Sequence, residues 1–213
     1  MHASDVYASP DWELSGGIMR PGGLELTRWL LSQASLPAGA RILDLGCGRG
    51  FSTAFLDASG YRALGVDSSE MLLKEAEARF PQCAFRRADA GQLTAADAFD
   101  AVLLECVLSA AEANGILAAC GRIVSDTGLL LVSDVYAPDR ESGVLSLPWW
   151  QARFEAAGFR PLLFRDRTED LKEFAARLLW EKGSLKPFCG CMHYEMPAKP
   201  GYFALIARKR TEK

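Results

Sequence analysis

Residues 41–50 read RILDLGCGRG, an apolar run that carries an acid, Asp44, and breaks into Gly46, Gly48 and Gly50. A glycine-rich turn between a strand and a helix is a common nucleotide cradle, because a helix N-terminus attracts anions. Two features set this turn apart. The dinucleotide fingerprint G-x-G-x-x-G needs its third glycine at position 51, which is Phe51 here. Asp44 would also stand beside a bound pyrophosphate as a like charge and oppose it. The turn therefore suits a ligand that brings positive charge to Asp44 and no phosphate.

Two further acids close similar apolar runs. Asp67, in LGVDSSEML, lies about 20 residues past the glycines, where a carboxylate can accept from both hydroxyls of a ribose. Its plainer role is to cap the helix that opens at Ser68 or Ser69. Asp89, in RRADAGQL, can accept from an adenine amino group while the backbone of Ala90 pairs the ring nitrogen; a turn or capping role is the alternative. Met71 suits either an adenine face or the core. Glu105 ends the apolar run FDAVLLE and needs a ligand or a local partner. Arg20, in GGIMRPGG, suits a ligand carboxylate or an open surface. S-adenosylmethionine meets these demands together. Its ammonium and sulfonium are cationic, its carboxylate is small enough to meet backbone N–H groups, and it carries a ribose and an adenine.

These residues need elements that bring them to one edge. LELTRWLLSQASL reads as a helix stopped by Pro37. Strands and helices then alternate: ARILDLG, the helix FSTAFLDAS, YRALGVD, the helix SSEMLLKEAEARF, the weaker strand CAFRRAD, FDAVLLEC, the helix SAAEANGILAACGRIV, and LLLVSDVY. Several of these strands are apolar almost throughout, as strands covered on both faces must be. The alternation predicts an α/β fold with a doubly wound, mostly parallel sheet. Beyond Tyr136 the spacing gives a loop, the helix WWQARFEAAGF, the strand RPLLFRD, the helix TEDLKEFAARLLWEKG, a long loop with three prolines, and a closing strand GYFALIARK.

The totals bound the function. With 213 residues, about half of them apolar, the chain can build one large core as a single domain. The net charge of −3 has no dense basic run behind it, so no nucleic-acid partner is expected. No apolar run reaches the length of a membrane span, and the N-terminal segment lacks a signal core; no membrane insertion and a cytoplasmic location are expected. The cysteines at 47, 83, 106, 120, 189 and 191 are expected to be reduced, and no resident metal is expected.

LDLGCGRG, VDSSEML and ADAGQL, in this order and spacing, resemble the class I S-adenosylmethionine-dependent methyltransferase superfamily, and within it the small-molecule group that includes the ubiquinone and menaquinone methyltransferases. The resemblance covers residues 38–135. It implies a seven-stranded sheet in the order 3-2-1-4-5-7-6 with the last strand antiparallel. It implies an N-terminal helical cap segment over residues 1–37, a cofactor core over 38–135, and a C-terminal part, 136–213, with a cap insertion near 167–199. It also implies that Gly46, Cys47 and Gly48 line the methionine moiety, that Asp67 holds the ribose, that Asp89 and Ala90 bind adenine, and that Glu105 lies near the methionine end; Asp44 and Ser68 complete the expected cofactor-binding set.

The chemistry to be expected is transfer of a methyl group to a small molecule, driven by placing a nucleophile in line with the sulfonium methyl in a dry pocket. No residue declares itself a general base; Tyr136, His193 and Tyr194 are candidates by placement. Strand four ends in ECVLSA, neither the D/N-P-P-Y pattern of enzymes that methylate nucleic-acid amino groups nor a Pro-Cys nucleophile. Trp149-Trp150 suits a cap over a planar substrate or the core. Cys189 and Cys191, with His193 nearby, raise an alternative, a soft-metalloid (arsenic) methyltransferase; a binding module that transfers nothing is another. A nicotinamide oxidoreductase is a more distant one.

Overall fold

The computed structural model describes residues 20–94, 98–141, 143–186 and 192–210. Seven strands form one sheet: β1 (Arg41–Leu45), β2 (Arg62–Asp67), β3 (Ala84–Arg87), β4 (Phe99–Glu105), β5 (Val124–Tyr136), β6 (Phe159–Asp166) and β7 (Gly201–Lys209). Their order is β3-β2-β1-β4-β5-β7-β6. The pairs from β3 through β5 are parallel, and β7 runs antiparallel to both neighbours. The α/β fold class and the strand order expected from the sequence are borne out.

The apolar strands are explained by cover on both faces. On one face, α4 (Ala113–Ile123) and α5 (Leu147–Ala156) pack Leu117, Cys120, Trp150 and Phe154 against alternate strand residues such as Leu43, Val102 and Leu130. On the other face, α1 (Gly23–Ala34), α2 (Phe51–Ala58) and α6 (Thr168–Lys182) pack Leu26, Leu30, Leu56, Phe174 and Leu178 against Ile42, Leu103 and Leu131. A further helix, α3 (Glu70–Arg79), lies beside β3, and Leu72, Leu73 and Ala76 are its buried side. The period of two along each strand sends alternate residues to the two clusters.

The local starts and stops follow capping chemistry. Ser69 caps α3 by accepting from the Leu72 N–H. Helix α4 starts at Ala113, four residues after the expected Ser109, because the Glu112 carboxylate accepts from the N–H groups of Asn114 and Gly115. Helix α5 starts at Leu147, because Ser146 accepts from the Trp149 N–H and Pro148 occupies the first turn. Strand β5 starts at Val124, before the expected Leu129, since Val124 already pairs with Phe99.

The stretch expected as a cap, 167–199, divides in two. Helix α6 is a layer of the sandwich, covering β7. Met192, beyond it, packs against the clusters of both faces and so crosses the end of the sheet.

Candidate active site

Because β1 to β4 are parallel, their carboxyl ends share one edge, where open α/β sheets leave a crevice. A cleft of about 350 Å³ lies there, within the size range of small-molecule sites. Asp44, Gly46, Cys47 and Gly48 line it, as do Asp67 and Ser68, Asp89 and Ala90, and Glu105. Met71 is not brought to the cleft. It is half exposed, on the outer side of α3, while its neighbour Leu72 faces inward and lines the cleft.

The glycine turn is closed by bonds within the protein. The N–H groups of Gly46 and Cys47 donate to the Val66 carbonyl at 2.7 and 3.1 Å. Gly50 N–H donates to the Cys47 carbonyl at 2.9 Å. Gly48 N–H donates to Asp67 Oδ2 at 2.8 Å. A pyrophosphate would find these four donors committed and two buried carboxylates alongside. The same commitment turns a small ligand carboxylate away from these N–H groups. Gly46 and Gly48 hold φ values of 78° and 51°, the left-handed region that favours glycine. A Cβ on Gly46 would lie 2.6 Å from Val107 Cγ2, whereas a Cβ on Gly48 would meet nothing within 4 Å. The first glycine serves packing. The second faces open space in the cleft.

Asp44 is buried and accepts from Thr53 Oγ1 at 2.7 Å. Burial pushes its carboxyl up to about 7, against the Thr53 bond and the nearby Arg20, while Glu105 and Asp67 add to the rise. A cation placed beside it would relieve that cost. Asp67 accepts from Gly48 N–H with one oxygen and from Ser69 N–H with the other. The expected alternatives therefore coincide: the side chain braces the helix start and still lines the cleft, with a second lone pair on each oxygen for a diol. Burial raises its pKa, and the bonds from Ser69 and Gly48 oppose the rise. Asp89 opens the 3₁₀ turn Ala90–Gln92; its N–H donates to Gln92 Oε1 at 3.0 Å.

Glu105 finds local partners. Thr27 and Ser52 hydroxyls donate to its two oxygens at 2.9 Å each, and Arg20 Nη2 lies 2.7 Å from Oε2. Arg20 Nη2 also donates to Thr27 Oγ1 at 2.6 Å. Burial works against the Arg20 charge, but Glu105 and then Tyr202 and Asp44 outweigh it and hold the guanidinium above its ordinary range. Arg20 lines the cleft, and its buried Nε has no partner among the described residues. That orphan donor fits an anionic group of a ligand. One end of the cleft thus presents two carboxylates and one guanidinium, the complement of a zwitterionic amino acid. The set fits the methionyl end of S-adenosylmethionine, with Asp67 and Asp89–Ala90 placed in order for its ribose and base. Thr27, Ser52 and Thr53 carry no sequence signal, since each reaches its partner only across helix–strand contacts.

The candidate bases lie elsewhere. Tyr136 donates to Asp166 and packs edge-on against Phe164 and Phe203. Burial, with Asp166 adding to it, pushes its hydroxyl up to about 12, so it stays protonated. Tyr194 Oη accepts from the Ala113 N–H at 3.2 Å, and His193 N–H donates to the Ser109 carbonyl at 2.7 Å. Both residues, from the segment between α6 and β7, pack against the β4–α4 connection and the start of α4. Trp150 is core, its Nε1–H donating to the Val135 carbonyl at 3.2 Å, and Trp149 lies between Arg153 and Tyr194. Cys189 and Cys191 lie outside the described residues, among which no cluster of metal-ligating side chains occurs. No helix among the described residues is long and apolar enough to cross a membrane.

The fold and the cleft together define a Rossmann-like α/β domain with a ligand-sized crevice at its strand ends. Residues 42–128 of the chain match the family described as "Methyltransferase domain". The chain is similar to a trans-aconitate 2-methyltransferase of Methylobacterium nodulans, 42% identical over 81 residues that cover 37% of this chain and 31% of that protein. In three dimensions it resembles a putative sarcosine dimethylglycine methyltransferase from Galdieria sulphuraria, with a TM-score of 0.74 at 15% identity over 88% of this chain and 86% of that one. It also resembles the [4+2]-cyclase SpnF, with a TM-score of 0.73 at 21% identity over 88% and 81%. The chain spans about a third to a half of the length of the first curated relatives it matches. The resemblance to the class I S-adenosylmethionine-dependent methyltransferases is borne out.

Proposed function

We propose that this protein transfers the methyl group of S-adenosylmethionine to a small molecule. The observation that carries this reading is the charge arrangement of the cleft. Asp44 and Glu105 flank Arg20 at one end, the N–H groups of Gly46, Cys47, Gly48 and Gly50 in the turn beside them are already bonded within the protein, and Asp67 and Asp89 follow in the order of ribose and base. When bound, the cofactor supplies an electrophilic methyl on a cationic sulfur. The protein's share is to hold that end fixed, to exclude water and to place the acceptor in line, which can lower a barrier by roughly 7–11 kcal/mol. The match to the methyltransferase family and the relatives named for methyl transfer support the same activity. The acceptor enters beside the 106–111 loop, where Ala110 and Ala111 line the cleft with small side chains. Calorimetry with S-adenosylhomocysteine and with NAD tests the cofactor, and labelled S-adenosylmethionine with a cell metabolite extract tests transfer. Binding of S-adenosylhomocysteine, weakened in Asp67→Asn, together with a labelled product is expected. Tight binding of NAD and none of S-adenosylhomocysteine refutes the reading.

A further inference from the structure

Asp134 does not line the cleft; it is 0% exposed and both its carboxylate oxygens are engaged. It sits near the end of β5, paired in the sheet with Phe203. One oxygen accepts from the N–H groups of Leu108 and Ser109 at 2.9 and 3.0 Å, and the other from Val135 N–H at 2.7 Å. The Ser109 hydroxyl also bonds to it. Leu108 and Ser109 belong to the loop after β4, whose Cys106, Val107, Ala110 and Ala111 form one wall of the cleft.

That loop opens with an unfavourable turn. Cys106 holds φ 58°, a left-handed value rare for a residue with a side chain. Such a conformation persists only where the surroundings over-determine it. The bonds to Asp134, two residues on, supply that constraint, with the Cys106 N–H donating to the Ser133 carbonyl at 2.9 Å. The loop passes the constraint outward. The Ser109 carbonyl accepts from His193 N–H, and Ala113 N–H donates to Tyr194 Oη, so the 192–194 segment is hung on the same anchor.

The geometry points to Asp134 as a positioning residue: its carboxylate clamps the 106–111 wall of the cleft, and through Ser109 the 192–194 segment, to the end of β5. The effect on turnover rests on the methyltransferase reading above; the effect on the wall does not. The cofactor contacts at Asp44, Gly48, Asp67 and Asp89 stand on β1 to β3 and are not tied to Asp134. The clamp therefore governs how the acceptor is presented more than how the cofactor is held.

The test compares the full chain with Asp134→Asn, which turns one oxygen into a donor facing backbone N–H groups, and with the milder Ser109→Ala. In Asp134→Asn, amide hydrogen exchange at Leu108 and Ser109 is expected to quicken at least tenfold, with Gly48 and Ser69, whose N–H groups are held by Asp67, unchanged. Transfer from labelled S-adenosylmethionine to a metabolite extract is expected to fall at least tenfold, and the Kd for S-adenosylhomocysteine to move less than threefold. Ser109→Ala should shift exchange and transfer in the same direction by a smaller factor. Unaltered exchange and transfer in Asp134→Asn overturns the proposal. So does an equal loss of S-adenosylhomocysteine affinity and transfer, which marks a general loss of structure. If the unmutated chain neither binds S-adenosylhomocysteine nor transfers label, the methyltransferase reading has failed, and the exchange at Leu108 and Ser109 alone decides the clamp.

Discussion

Replacing Gly46 and Gly48 by alanine, one at a time, separates the needs of the fold from those of the ligand. Both glycines line the cleft at positive φ, so each alanine carries a left-handed backbone penalty of about 1–2 kcal/mol. At Gly46 the new methyl would also stand 2.6 Å from Val107 Cγ2, an overpacking that adds roughly 1–3 kcal/mol. At Gly48 no atom lies within 4 Å of the new methyl, and nothing is added. Gly46→Ala should then cost about 3 kcal/mol, a fall in Tm of roughly 6–12 °C for a domain of this size, and Gly48→Ala about half of that. Ligand affinity should rank the other way per unit of stability lost. The Gly48 methyl fills space that the ligand needs, and about 2 kcal/mol of overpacking there weakens S-adenosylhomocysteine by roughly 30-fold. Thermal denaturation and calorimetry on both variants supply the four numbers. If Gly48→Ala binds S-adenosylhomocysteine as well as the unmutated chain does, the ligand does not lie against this turn, and the charge argument built on it fails.

Other expectations follow from the same contacts. Asp44 is raised to about 7, so between its ordinary value and 7 the folded chain holds a proton that the unfolded chain has lost. Stability should therefore fall as pH rises from about 4 to about 7, by an amount of order 4 kcal/mol, and Asp134, raised to about 6, acts in the same direction. Denaturant titrations across that range should show a flatter slope in Asp44→Asn; an unchanged slope refutes the assignment. An ammonium beside Asp44 favours its ionised form, so S-adenosylhomocysteine should bind more tightly as pH rises through about 7. Glu105→Gln leaves Arg20 buried beside a neutral partner and should cost about 3–5 kcal/mol in urea denaturation, most of it recovered when Arg20→Met and Glu105→Met are combined. Tyr136→Phe should lose only the bond to Asp166, about 0.5–1.5 kcal/mol, and leave methyl transfer unchanged; loss of transfer in a folded variant would restore Tyr136 as a base.

The sheet was legible because its signal is local. Runs such as RILDL and AVLLE can lie only between two layers, and three acids at three strand ends announce a shared edge by their spacing alone. Element boundaries were less legible, since they turn on single side chains: Glu112 sets the start of α4, and Ser146 that of α5. Met71 illustrates a limit of periodicity. The sequence places it at the start of α3, but which side it shows depends on the helix's rotation against β3, and Leu72 takes the inward position. What could not be read at all was pairing over distance. Thr27 and Ser52 reach Glu105 from two helices, Thr53 reaches Asp44, and Asp134 gathers a loop from the neighbouring strand. A threonine in an amphipathic helix or an aspartate in a strand looks ordinary until the fold sets its partner beside it.

The position of β7 has a consequence for how the molecule is made. Residues 201–209 slide between β5 and β6, pairing with β5 from Leu129–Arg208 to Tyr136–Gly201. Until that ribbon is synthesised, β5 presents a bare hydrogen-bonding rim rich in leucine and valine, the type of rim that recruits stray strands. The half built on β1 to β5 must therefore wait, nearly complete and adhesive along one side, for β7 to arrive. Nascent chains halted before residue 201 should be the species that aggregates.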